Sequence, residues 1–178
     1  MATTYVLGLG NVLMGDDGFG PSVVRAFDEQ YAVTGDVEVV DLGTPGLDLT
    51  PWFADAGHVI IVDTVKAALP PGTVRQYEKA DLIKHAPFAR IGPHDPGVKE
   101  TVLTLDFAGR GPQAVTIVGV VPAHVGYGTE LSAPVAAAGP AAIDALVAVL
   151  QRSGFDPRPR VQAPSGTRPA GAWWTTNA

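Results

Sequence analysis

The chain contains no cysteine, and this absence excludes several kinds of chemistry. Without a thiol, none of its 178 residues can act as a cysteine nucleophile, bind zinc or an iron–sulfur cluster through sulfur, or form a disulfide. Basic residues are also scarce, since 12 Lys and Arg are outnumbered by 18 Asp and Glu and the formal charge is -6. Because nucleic-acid binding requires a basic surface, we expect no nucleic-acid partner.

Long uninterrupted apolar segments are missing from the sequence as well. Residues 1–4 lead directly into an apolar strand, without the basic segment that opens a signal peptide. The most apolar stretch, Ala133 to Leu150, is short for a membrane span and contains Pro140 and Asp144. We therefore expect a cytoplasmic protein with no membrane contact.

Short apolar segments alternate with segments of helical periodicity along most of the chain. Continuous apolar runs predict strands at residues 5–8, 37–41, 58–63 and 114–121, and an alternating segment predicts an edge strand at 72–77. Helices are predicted after the first strand, with Pro21 at the first helical position, and over 47–53, 95–107 and 133–152. Strands that are apolar throughout are typical of a sheet covered on both faces. The sequence therefore predicts an α/β fold with a mostly parallel sheet between two helical layers.

The composition divides the chain into a domain and a tail. Apolar residues make up 46% of the sequence, which is enough for one compact domain, and we place this domain at residues 1–154. Residues 155–178 are rich in Pro and Arg, and this composition predicts a flexible tail. Trp173-Trp174 near its end offers an aromatic docking peptide, although an untethered terminus is the simpler interpretation.

The glycine-rich loop Gly8–Gly20 is the most informative segment of the sequence. It begins like a dinucleotide-binding turn, but Leu13 stands where the third glycine of that motif is required. Asp16 and Asp17 then follow near the start of a helix, where a phosphate would have to sit. Because two carboxylates repel a phosphate and attract a cation, the loop favours cation binding, and nucleotide binding is a weaker alternative.

Acidic residues fall at the ends of the predicted strands. Asp16 and Asp17 follow the first strand, Asp41 closes the second and Asp63 closes the third, while His94 lies in a loop rich in Gly and Pro. The carboxyl ends of parallel strands meet at one side of a sheet, where ligands of such folds bind. Two carboxylates and an imidazole suit nickel, zinc or manganese. The sequence therefore predicts a metal site formed by Asp17, Asp63 and His94.

These side chains also have simpler interpretations. For Asp16, a cap of the first helix is as good an interpretation as a functional role, and Asp17 would also serve as that cap. Asp63 would serve as a cap of a turn, although the functional interpretation is favoured there, and Asp95 is better explained as the cap of a later helix. Asn11 is predicted to shape its loop, because its side chain can mimic a turn. Neither a Gly-x-Ser-x-Gly nor a His-Glu-x-x-His motif occurs, so the familiar serine and zinc protease signatures are absent.

Taken in order, the motifs resemble those of the nickel–iron hydrogenase maturation proteases. The resemblance covers residues 5–154 and includes the loop Gly8–Gly20, the strand that ends at Asp63, the Pro93-His94 loop and the strand exit at residues 118–122. The family often has glutamate where this chain has Asp17. It usually has Asp-Gly-Gly-Thr where this chain has Asp41-Leu42-Gly43-Thr44, and the cost of a positive φ at Leu42 leaves the role of Asp41 open.

The resemblance implies both a fold and a function. The fold would be a three-layer αβα sandwich of the phosphorylase/hydrolase-like kind. The function would be that of an aspartyl-type endopeptidase, which removes the C-terminal extension of the hydrogenase large-subunit precursor after nickel insertion. Asp17 and Asp63 would be its catalytic carboxylates, and with His94 they would contact nickel carried by the substrate, or another divalent cation in the free enzyme. We expect a monomer, and the alternative function is that of a non-enzymatic metal-binding scaffold or metallochaperone.

Overall fold

The fold is an alternation of strands and helices, as the sequence predicts. The structure is a computed structural model, and it describes residues 2–44, 48–85 and 97–160. The strands are β1 Thr4–Leu9, β2 Tyr31–Val33, β3 Val37–Gly43, β4 His58–Thr64, β5 Val74–Glu78, β6 Ala114–Val120 and β7 Pro157–Pro159. The helices are α1 Phe19–Gln30, α2 Thr50–Phe53, α3 Lys79–His85, α4 Val98–Phe107, α5 Ala133–Ala137 and α6 Gly139–Arg152, and a 3₁₀ turn, Asp16–Gly18, precedes α1.

Five of the strands form a twisted, mostly parallel sheet in the order β3-β1-β4-β6-β5. Strands β3, β1, β4 and β6 are parallel, and β5 is antiparallel to β6 at one side, where the alternating sequence predicts an edge strand. In the register of the central strands, Gly8 lies beside Val62. Strands β1 and β4 therefore end next to each other, and the residues that follow them share one end of the sheet, which we call the carboxyl end.

Helices cover both faces of the sheet. Alternate side chains of β4 point to opposite faces, so that Ile60 packs with α1 and α6 while Ile61 packs with α2, α3 and α4. Both residues are fully buried. This arrangement is the three-layer αβα sandwich, and it explains why the strand sequences are apolar throughout.

Two helix boundaries differ from the sequence prediction. Helix α1 begins at Phe19, so Pro21 is its third residue rather than its first; a proline is tolerated there because the first turn of a helix has no internal partners for its N–H groups. The long helix predicted over 133–152 is divided between α5 and α6 at Ala138. This stretch is long and apolar enough to cross a membrane by length and composition, but its buried residues, Val135 and Leu146 among them, pack into the core beside α1.

The first residues of the segment predicted as a tail are part of the fold. Strand β7 pairs in antiparallel orientation with β2, and Phe155 packs against the core. The Arg160 N–H then donates to the carbonyl oxygen of Gln30 at 2.7 Å. The structure therefore differs from the sequence prediction over residues 155–160, while Trp173-Trp174 lies outside the described residues.

Candidate functional site at the carboxyl end of the sheet

Glycines allow the start of α1 to lie directly on the ends of β1 and β4. A Cβ atom at Gly20 would overlap the carbonyl oxygens of Leu9 and Val62, and one at Gly10 would overlap the carbonyl oxygen of Asp17. Gly10 also has a φ of 129°, which a residue with a side chain rarely adopts. We therefore attribute these glycines to the close contact between the backbone of the loop and the strand ends, rather than to phosphate binding.

Asp17 lies in the 3₁₀ turn between β1 and α1, and it is only 6% exposed. Its carboxylate accepts a hydrogen bond of 2.7 Å from the Asn11 backbone N–H. The positive end of the α1 dipole lies immediately beyond it and interacts favourably with a carboxylate. The loop thus folds back on itself around this side chain.

Asp63 is the penultimate residue of β4 and is half-buried. One of its carboxylate oxygens accepts a hydrogen bond of 2.6 Å from the Thr64 N–H. The turn that carries Asp17 contacts β4, and Gly20 sits against the carbonyl oxygen of Val62, the residue before Asp63. The fold therefore brings Asp17 and Asp63 to the same end of the same pair of strands.

The third predicted metal ligand, His94, lies outside the described residues. Among the residues that the structure describes, no group of three His, Asp or Glu side chains is arranged to hold a metal ion. The predicted set of Asp17, Asp63 and His94 therefore stays a prediction. Carboxylate oxygens are suitable donors for a divalent cation, so the chemistry of Asp17 and Asp63 fits such a group.

Asp16 has a role that the sequence did not reveal. It is 1% exposed, and its carboxylate accepts hydrogen bonds from the N–H groups of Ala123, His124 and Ser132 and from the Ser132 hydroxyl, at 2.6 to 2.9 Å. All four donors belong to the loop between β6 and α5. Asp16 therefore ties this loop to the loop that carries Asp17, and we call this set of contacts the Asp16 clasp.

The Asp16 clasp also determines the ionisation of this carboxyl group. Burial alone raises the pKa of Asp16, but hydrogen bonds from the backbone of His124, Ser132 and Ala123 and from the Ser132 hydroxyl outweigh it, and the pKa is lowered. Neither the 3₁₀ turn nor α1 has a side-chain cap. The simpler interpretation of Asp16 or Asp17 as a helix cap is therefore wrong.

Asp41 is held in an ion pair at the end of β3. The Arg25 Nε donates to its carboxylate at 2.7 Å, and the Gly43 N–H donates to the other oxygen at 3.0 Å. The positive φ of this segment falls on Gly43, at 56°, and not on Leu42. Leu42 in place of the family's glycine is thus accommodated without backbone strain.

Asn11 shapes the loop as predicted, because its side-chain oxygen accepts a hydrogen bond of 2.9 Å from the Leu13 N–H. The predicted capping residue Asp95 lies outside the described residues. The helix expected to follow it is present as α4, which ends at Phe107 as predicted.

A second polar network lies at the opposite end of the sheet, which we call the amino end. His58 opens β4, and its ring nitrogens lie 2.9 Å from the Ser153 hydroxyl and 2.8 Å from the Thr116 hydroxyl. Thr116 in turn donates to the Glu78 carboxylate at 2.8 Å. Because the Thr116 proton goes to Glu78, its oxygen accepts from the Nε2–H of His58. No sequence signal singles out this network, since its members come from four separate elements.

Comparison with known proteins assigns this fold to a class of hydrolases. The profile of the family HycI, hydrogenase maturation protease, matches residues 21–149. The chain is 35% identical to the hydrogenase expression/formation protein HupD of Rhizobium leguminosarum bv. viciae, over 84% of this chain and 74% of that protein. It is 33% identical to the hydrogenase 2 maturation protease of Escherichia coli K12, over 87% of this chain and 94% of that protein.

Solved structures agree with the sequence comparison. The hydrogenase maturating endopeptidase HybD from E. coli superposes with a TM-score of 0.82 at 31% identity, covering 89% of this chain and 98% of that chain. The chain therefore belongs to the hydrogenase maturation protease family, and it is a peptidase of the hydrolase class. The fold prediction and the family resemblance are both confirmed.

Proposed function

We propose that this protein is an aspartate-dependent endopeptidase that removes the C-terminal extension of a nickel–iron hydrogenase large-subunit precursor after nickel insertion. The observation that carries the proposal is the position of Asp17 and Asp63, which the fold brings to one end of β1 and β4. A carboxylate pair at this position can both contact a cation and accept a proton.

In this proposal the nickel is part of the substrate and serves to position it. Asp17, Asp63 and His94 contact the nickel carried by the precursor, and this contact places the scissile peptide beside a carboxylate. Hydrolysis then requires a water molecule to attack the peptide carbonyl carbon while a base takes a proton from that water. The peptide C–N bond breaks as the base passes the proton to the leaving nitrogen, which departs as an amine. The carboxylate acts as that base, and the nickel supplies Lewis-acid polarisation to a group bound next to it.

The charge of the site explains how the scissile peptide of a precursor without nickel would be kept away from the catalytic carboxylates. The chain has a formal charge of -6, and two of its carboxylates lie together at the carboxyl end of the sheet. Without a cation to offset them, these carboxylates repel each other and any acidic group of the substrate. A nickel-loaded precursor replaces that repulsion with attraction, so cleavage follows nickel insertion. We propose that the protease acts in the cytoplasm, as a monomer.

The test is the intact mass of the purified large-subunit precursor after incubation with this protein. Nickel-loaded and nickel-free precursor are compared, using the wild type and the variants Asp17→Asn, Asp63→Asn and His94→Ala. We expect loss of one C-terminal peptide from the loaded precursor only, and a fall in rate of about 100-fold or more in each Asp→Asn variant.

Asp55→Asn is the matched control. Asp55 forms an exposed ion pair with Arg110 away from the glycine-rich loop, so this variant keeps the wild-type rate. If the intact mass of the cognate nickel-loaded precursor stays unchanged, the peptidase proposal is wrong. Stoichiometric nickel retention after dialysis would then favour the metal-binding scaffold.

A further inference from the structure

We propose that Val12, Leu13 and Tyr127 form an apolar rim that binds an apolar segment of the large-subunit precursor beside its scissile peptide. This inference rests on the proposed function and names three residues that determine substrate binding. Residues Val12, Leu13 and Tyr127 are 40%, 59% and 96% exposed. Single exposed apolar side chains are ordinary on protein surfaces, so the argument depends on how these three are held together.

The rim belongs to two loops that are bonded to each other. The Gly128 N–H donates to the Leu13 carbonyl oxygen at 3.0 Å, and the Gly15 N–H donates to the Gly128 carbonyl oxygen at 2.8 Å. Tyr127 is therefore held next to the segment that carries Leu13. The Asp16 clasp joins the same two loops, because Asp16 belongs to one of them and its donors Ala123, His124 and Ser132 belong to the other.

The rim is also continuous with the candidate catalytic residues. Asn11 links the two, since its N–H donates to the Asp17 carboxylate at 2.7 Å and its side chain accepts from the Leu13 N–H at 2.9 Å. The Cα atom of Val12 lies against Gly18, the residue after Asp17. A polypeptide that approaches Asp17 from the side of this loop consequently has to pass over the rim.

The chemistry of the rim identifies the kind of segment that it binds. Residues 11–15 and 125–128 contain no charged side chain, so the rim itself offers no ion-pair partner to a peptide. A tyrosine supplies a large apolar ring at low entropic cost, and aromatic residues dominate the binding energy of many interfaces. Because a peptidase has to hold a polypeptide at its catalytic residues, the occupant is the precursor, through an uncharged apolar segment near the cleaved bond.

The experiment separates precursor binding from cleavage. Leu13→Ser and Tyr127→Ser are compared with wild type for KM and kcat on the nickel-loaded precursor, and for the dissociation constant of the nickel-free precursor. We expect KM and the dissociation constant to rise about 10-fold, because each variant loses an apolar anchor. The value of kcat stays within twofold. Tyr127→Phe keeps the apolar ring, so its KM and dissociation constant should rise less than those of Tyr127→Ser.

Phe107→Ser is the matched control, since Phe107 is 97% exposed but lies at the end of α4, on the amino side of the sheet. It leaves KM, kcat and the dissociation constant unchanged. If both Ser variants bind the precursor as tightly as wild type, or if only their kcat falls, the rim does not bind substrate. The proposed function would remain intact in either case. If the wild type cleaves nothing, the proposed function fails, and the dissociation constants of the nickel-free precursor still decide whether the rim binds it.

Discussion

The two ends of the parallel sheet both hold polar networks, but the one at the amino end is partly exposed and the one at the carboxyl end is buried, and they are built in different ways. At the amino end, side chains bond to side chains, and His58, Thr116, Glu78 and Ser153 connect the starts of two strands to an edge strand and the end of α6. At the carboxyl end, a single carboxylate, that of Asp16, bonds mainly to the backbone of a loop.

The backbone explains this difference. Gly8, Gly10 and Gly20 let the carboxyl-end loop approach the strands so closely that added Cβ atoms would overlap main-chain oxygens. A network of side chains ties elements together, whereas a carboxylate among backbone N–H groups holds loops in one conformation. The second arrangement is the one that a site made of loop residues requires.

Adding one methyl group at the carboxyl end should cause the largest loss of stability. In Gly20→Ala the new Cβ meets the carbonyl oxygens of Leu9 and Val62, and neither main-chain atom can move without disturbing the sheet. We expect the free energy of unfolding to fall by about 3 kcal/mol, seen as a Tm lower by about 10 °C. Proteolytic activity falls with it, because the turn carrying Asp17 is displaced.

Gly139→Ala is the control for that substitution. A Cβ at Gly139 meets nothing within 4 Å at the start of α6, so its stability stays equal or rises by up to about 1 kcal/mol. Equal Tm values for the two variants would contradict the close approach of α1 to the strand ends.

Removing the charge of Asp16 should give the next largest effect. In Asp16→Asn one carboxylate oxygen becomes an NH2 group, so that either the Ser132 N–H or the N–H groups of Ala123 and His124 face a donor instead of an acceptor. We expect a loss of about 2 kcal/mol in urea unfolding, together with a higher KM because the rim is no longer fixed. Ser132→Ala removes one of the four hydrogen bonds and should cost about 1 kcal/mol. A cost for Asp16→Asn no greater than that for Ser132→Ala would contradict the clasp.

The two ends of the sheet should lose stability in different pH ranges on acidification. The loss at His58 is the smallest effect that we predict. Burial lowers the pKa of His58, Glu78 raises it and Arg152 lowers it, with a net decrease from 6.5. The folded state therefore binds fewer protons than the unfolded state, and the stability that His58 contributes is lost as pH falls below 6.5. We expect under about 1 kcal/mol, because the ring is partly solvated.

The measurement is the free energy of unfolding from pH 7.5 to 3 for wild type and His58→Gln. The variant should lose less stability than wild type between pH 6.5 and the lowered pKa of His58. The Asp16 contribution responds in a different range: with a pKa lowered from 3.8, it is complete above pH 3.8 and is lost as pH falls through the lowered value. Identical profiles for wild type and His58→Gln would contradict the lowered pKa of His58.

The sequence was sufficient for the features that depend on local pattern. Apolar runs such as that of β4 predicted a parallel sheet, and the position of Asp63 at the end of its strand predicted the side of the sheet at which it lies. Partners distant along the chain could not be predicted in this way. Asp16 bonds to Ser132, 116 residues away, and nothing in the sequence marks Ser132 as its partner.

Strand β7 could not be predicted because its local sequence indicates a different structure. Its sequence, Pro157-Arg158-Pro159, lacks two N–H donors and is typical of coil. Within the described part of the chain it pairs with β2 alone, in a two-stranded sheet that tolerates the missing donors, and Arg160 holds its end in place. The Arg160 guanidinium donates to the carbonyl oxygens of Asp28 and Tyr31, a tertiary contact that composition does not reveal.

The end of strand β7 is also a suitable attachment point for immobilising the protein. The strand pairs with β2, which follows α1 directly and precedes β3, so its end lies at the amino end of the sheet, across the domain from Asp17 and Tyr127. An enzyme immobilised on a bead or sensor through a linker attached just after Arg160 would turn its rim and its carboxylates toward the solution. The orientation of the working surface would then be determined by the point of attachment rather than by chance.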